Sequence, residues 1–86
     1  MNINEWAFYL NDNQVNEKIE SYRINLIKIN KDINSEEILK VYFKIITNNS
    51  INNRAKLYYI MEFENLLIKS RIRNVEDVKR FSESLF

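Results

Sequence analysis

The sequence predicts an all-α fold, a compact bundle of four to five helices over about residues 3–11, 13–30, 35–47, 51–71 and 75–85. Three observations carry this expectation. Apolar residues recur at spacings of three and four, which keeps them on one face of a 3.6-residue helix. Asn or Ser stands at the start of most of these stretches, where a helix needs a side-chain oxygen to receive its free N–H groups. Strand character is confined to Leu57 through Phe63, an aromatic-rich stretch with no second segment of matching character to pair with it.

The first expected helix opens on Asn2 with Glu5 three residues on, the spacing of a capping box. Ile3, Trp6, Ala7 and Leu10 share one face, and Phe8 and Tyr9 fall to either side of it. In the second, Val15, Ile19, Tyr22, Leu26 and Ile29 form one narrow seam, while Ile24 and Ile27 fall off it beside Glu17, Glu20 and Lys28. The third takes Ser35 as N-cap, with Glu36 and Glu37 in the first turn, where negative charge favours the helix dipole. Its apolar residues cover more than half the circumference and leave a wet strip around Glu37, Lys40 and Lys44, so a central position is expected. The fourth starts after Ser50; its apolar residues point in nearly every direction, and a helix of that kind requires cover all round. The fifth has Asn74 as N-cap, Asp77 three residues later, and Val75, Val78, Phe81 and Leu85 on one face.

Glycine, proline, cysteine and histidine are all absent. Asparagine, which tolerates the left-handed conformation, is therefore expected at helix ends, with Asn11, Asn30 and Asn48 in glycine's usual role. The same absences remove whole chemistries. There is no thiolate nucleophile and no Cys- or His-based metal site, and neither glycine-rich phosphate loop can be written. No cofactor and no small-molecule substrate are expected. No apolar run approaches the roughly 18 residues of a membrane span, and the start Met1-Asn2-Ile3-Asn4-Glu5 lacks a secretory profile, so the expectation is a cytoplasmic protein without membrane contact.

The 86 residues suffice for a single domain, 1–86, whose core buries only about 60 to 65 per cent of the unfolded surface. Hydrophobic residues make up 45% and charged residues 29%, a balance that fits a globule, and the net charge of +1 supplies no global field for an anionic partner. The charge is uneven, however. Residues 1–37 carry four basic and seven acidic side chains, net −3, and residues 38–86 carry nine and five, net +4.

Acid–base or magnesium chemistry would have to come from carboxylates alone. Glu36 with Glu37 and Glu76 with Asp77 are explained by their helix N-termini, and Glu62 and Glu64 lie about 200° apart on a helix. No catalytic residue and no metal ligand is assigned, and an enzyme is not expected.

Nucleic-acid binding is the alternative reading. The third and fourth helices with the turn at Asn48 to Ser50 would form a helix-turn-helix-like pair, with Asn52, Asn53, Arg54 and Lys56 at the leading end of the second. Lys69, Arg71 and Arg73 would add phosphate contacts. Ser21-Tyr22-Arg23, followed by Ser50 and Asn53-Arg54, resembles the helical core-binding domain that clamps DNA in tyrosine recombinases. The resemblance covers about residues 13 to 72 and implies DNA contact. It carries over no catalytic residue, because a chain without histidine cannot contain that family's catalytic domain.

Protein–protein association is the principal reading, since more apolar residues are present than so short a chain can hide. Phe8, Tyr9, Ile24, Ile27, Tyr58, Tyr59 and Met61 are the candidate partner-binding residues, aromatic and Met side chains being enriched at interface cores. The expected function is that of a small regulator or inhibitor that occludes a larger partner, or of a homodimer. The abundance of Asn, Ile and Lys matches AT-rich coding sequences, among them those of phages and other mobile elements.

Overall fold

The computed structural model of the chain describes residues 10–29 and 33–85, and asparagine opens every helix within them. The helices are α1 (Asp12–Ile29), α2 (Ser35–Ile46), α3 (Asn53–Ile68) and α4 (Val75–Ser84). Ahead of α1, the Asn11 side-chain oxygen accepts from the Gln14 N–H at 2.9 Å while Gln14 Oε1 accepts from the Asn11 N–H at 2.9 Å, a reciprocal capping box. The side chains of Asn34, Asn52 and Asn74 accept in the same manner from the N–H groups of Glu36, Ala55 and Asp77. Caps of this kind contribute about 1 kcal/mol each. The helix expected over 3–11 lies outside the described residues apart from its end.

Two starts differ from expectation. The cap of α2 is Asn34 rather than Ser35, and the cap of α3 is Asn52 rather than Ser50. Ser50 is held instead in a turn in which its N–H donates to Asn48 Oδ1 at 2.8 Å. The helix ends differ too. Asn11 begins a helix, Asn48 makes that turn, Asn30 lies outside the described residues, and the positive φ falls on Ser70, at 57°. Ser70 occupies the left-handed position of a Schellman motif that stops α3 at Ile68, three residues before the expected end. The Arg71 N–H donates to the Leu66 carbonyl at 2.9 Å and the Ser70 N–H to that of Leu67 at 3.2 Å. The reversal places Ile72, 3% exposed, in the core.

The core takes one stripe from each helix. Val15, Ile19 and Leu26 of α1 meet Ile38, Val41, Tyr42 and Ile45 of α2, with Leu57, Ile60, Phe63 and Leu67 of α3 between them and Val78 of α4 at the edge. The stretch Leu57 to Phe63 lies within α3 as helix, not strand. α2 packs against all three other helices, and the broadest single contact is between α1 and α3. Phe63 of α3 and Phe81 of α4 stack with ring centroids 5.0 Å apart, and the buried Tyr42 hydroxyl donates to the Ile19 carbonyl at 3.3 Å. Among the described residues no charged side chain is buried and no buried side-chain polar atom lacks a partner.

Two substitutions test this account by chemical denaturation. A non-glycine residue at positive φ costs roughly 1–2 kcal/mol, so Ser70→Gly should stabilise the chain by about 1 kcal/mol after allowing for glycine's freer unfolded state; an unchanged midpoint would mean the serine carries no strain. Phe63→Ala should cost about 3–5 kcal/mol, close to the whole stability of so small a domain.

Candidate interaction surface

The inner stripe of α1 fixes what its outer face carries. Ile24 follows Val15 by nine residues, which turns it half a revolution from the buried side, and Ile27 stands one turn further along. Both are exposed, at 53% and 40%. Around them the exposed side chains of Glu17 and Glu20 lie toward the helix start and Lys28 toward its end. On the flank nearer α2, burial raises the Tyr42 phenol above its ordinary value; the Glu20 carboxylate adds to the shift and Arg23 opposes it.

The other residues expected at a partner surface are distributed differently. Tyr58, Tyr59 and Met61 are half-buried on α3, with Tyr59 and Met61 packed against the core and the Tyr58 ring set edge-on to that of Tyr59 at 5.7 Å. Phe8 and Tyr9 lie outside the described residues. Two exposed apolar residues were not anticipated, Phe43 on α2 at 47% and Ile68 at 62%. Phe43 follows the exposed Glu36 by two turns and the exposed Lys40 by one, and that shared face is the signal in the sequence. Ile68 could not be read as exposed while α3 was expected to continue beyond it.

The residues of the nucleic-acid reading are largely bonded within the fold. Asn52 is the cap of α3. Asn53 donates to Asn16 Oδ1 of α1 at 2.7 Å. Arg54 donates to the Leu10 carbonyl and lies 3.8 Å from the Asp12 carboxylate. Lys56 reaches the Ile46 carbonyl at 2.9 Å and satisfies the last turn of α2. Lys69 and Arg71 are exposed at the end of α3, and Arg73 lies 3.8 Å from the carboxylate of Asp77.

The carboxylates do not converge. Glu37 pairs with Lys40 at 3.1 Å, Asp77 also accepts from the Arg73 N–H at 3.0 Å, and no group of three metal-ligating side chains occurs among the described residues. Glu64 is the perturbed one. Half-buried on α3, its carboxyl is raised by desolvation, and its charge adds to the burial that raises Tyr22 across the α1–α3 contact. An open cleft of about 290 Å³ between α2 and α4 is rimmed by Glu37 and Glu83 against Lys40 and Lys79. Those charges balance, and Lys44 closes one flank by donating to the Ser82 carbonyl at 2.7 Å. Comparison with family models, with curated proteins and with solved structures found no match.

The raised Glu64 has a consequence for stability against pH. The folded chain binds this proton more tightly than the unfolded chain, so the group favours the fold in acid and that contribution is lost as pH rises through its folded-state value. Glu64→Gln should therefore melt above the wild type at pH 7, with the gap closing as pH falls through the carboxylate range. A gap that stays constant with pH would contradict the assignment.

Proposed function

We propose that this chain is a non-enzymatic helical protein that acts by protein–protein association, as a regulator or inhibitor that occludes a partner, and that the outer face of α1 is its contact surface. The observation that carries this reading is the pair Ile24 and Ile27, large apolar side chains one turn apart on the solvent side of a helix whose opposite face is fully engaged in the core. With about half of its surface still in water, each isoleucine forgoes roughly 1 kcal/mol that complete burial would supply. A helix presenting anchors at i and i+3 suits docking against a complementary apolar surface. Because α1 is already folded onto α2 and α3, little ordering entropy opposes that docking.

Nucleic-acid binding is the second reading, and it would now rest mainly on Lys69, Arg71 and Arg73 at the turn after α3. Salt separates the two. Phosphate contacts release counterions, so affinity for nucleic acid falls steeply between roughly 50 and 200 mM salt, whereas an apolar contact is nearly indifferent.

The test is capture from the native host with immobilised wild type beside Ile24→Asp/Ile27→Asp. Both positions are exposed, so the variant should keep the wild-type circular dichroism. A protein retained in stoichiometric amount by the wild type, lost by the variant and held across that salt range is the expected result. Retention that ignores the α1 substitutions but vanishes with salt, or on Lys69→Ala/Arg71→Ala, would transfer the assignment to nucleic acid.

A further inference from the structure

The charges on the outer face of α1 are arranged so that the face complements itself. Within about 40° of the direction of Ile24, acidic Glu17 and Glu20 precede it and basic Lys28 follows it, all exposed, while the exposed cations Lys18 and Arg23 lie about 100° or more round the helix. Glu20 and Lys28 are equally spaced about Ile24, four residues or about 6 Å along the axis on either side. A second α1 laid antiparallel on the first, with a two-fold axis at Ile24, sets residue 24 against itself and residue 20 level with residue 28. Lys28 of each copy then stands level with Glu20 of the other and about one turn from Glu17. A parallel pairing would instead bring Glu20 against Glu20 and Lys28 against Lys28. From this register we infer that the occupant of the α1 face is a second copy of this chain, bound antiparallel through an isologous contact centred on Ile24.

The inference rests on the association reading above and narrows it to one partner. Ile24 lies on the axis and Ile27 beside it, so the apolar centre is four isoleucine side chains flanked by two identical clusters, each with Lys28 of one copy near Glu17 and Glu20 of the other. Such a centre is small. The contact belongs below the roughly 1,200 Å² at which stable interfaces begin, and the dimer is a reversible one that populates as concentration rises. Charge sets its register and orientation more than its strength.

Sedimentation velocity on the purified chain should show a sedimentation coefficient that rises with concentration from monomer toward dimer, and Ile24→Glu should hold it at monomer. Lys28→Glu alone and Glu17→Lys/Glu20→Lys alone should each weaken self-association by about tenfold through like-charge repulsion. An equimolar mixture of these two variants should recover it, which a variant that had merely lost its fold could not do. Because the chain has no native cysteine, single thiols report orientation directly. Ile24→Cys should be joined by a short thiol cross-linker. Asn13→Cys, on the same face but about 33 Å from its mate in the antiparallel pair, should not. A chain that stays monomeric at every soluble concentration, or cross-links as readily through position 13 as through position 24, overturns the inference. If that monomer still captures a different protein in a manner abolished by Ile24→Asp/Ile27→Asp, the second copy fails as occupant and the association reading stands; if neither is found, both fail.

Discussion

Leu57, Ile60 and Phe63 on α3 are wholly withdrawn from water, and the other helices take positions that cover them. α3 carries apolar side chains on most of its circumference, so no single neighbour can shield it. α1 lies along it with the broadest contact in the molecule, α2 contributes four buried residues, and α4 adds Phe81 stacked on Phe63. The Schellman turn at Ser70 belongs to the same requirement. Without a reversal just after Leu67 the chain could not bring Ile72 into the core and Val78 and Phe81 back against it. The positive φ of a serine there is the local cost of that closure.

Covering α3 also commits the polar residues at its start. Asn53, Arg54 and Lys56 have the composition of a nucleic-acid-reading helix end, and each makes a bond to another part of the chain. Lys56 on the Ile46 carbonyl satisfies an acceptor that the end of α2 leaves open, and Asn53 and Arg54 fasten α3 to the start of α1 and the residues before it. In a domain this short, cross-links between helices supplement a modest apolar core.

The outer face of α1 is the counterpart of its seam. Once Val15, Ile19 and Leu26 are spent on α2 and α3, Ile24 has no inward position to take, because a helix cannot turn one residue without turning them all. An apolar pair flanked by opposite charges at its two ends is a pattern that core packing does not require. It is the pattern on which the proposed association rests.

The four described helices, the α1 seam and the cap at Asn74 were legible from residues alone, because each depends on groups within about one helical turn of one another. So was the exposure of Ile24 and Ile27, which follows from the seam by helical period. The choice of Asn34 over Ser35 and of Asn52 over Ser50 was not, since neighbouring polar residues compete for the same N–H groups and chain direction decides between them. The exposure of Phe43, the half-burial of Tyr58 to Met61 and the internal use of Arg54 and Lys56 depend on partners 10 to 44 residues away or on which neighbour covers which flank. Sequence by itself determined the helices and which side of α1 is apolar, through hydrogen bonds and periodicity closed within a turn. Only the tertiary structure decided which basic side chains bond within the fold and which stay exposed, because that depends on how separate helices meet.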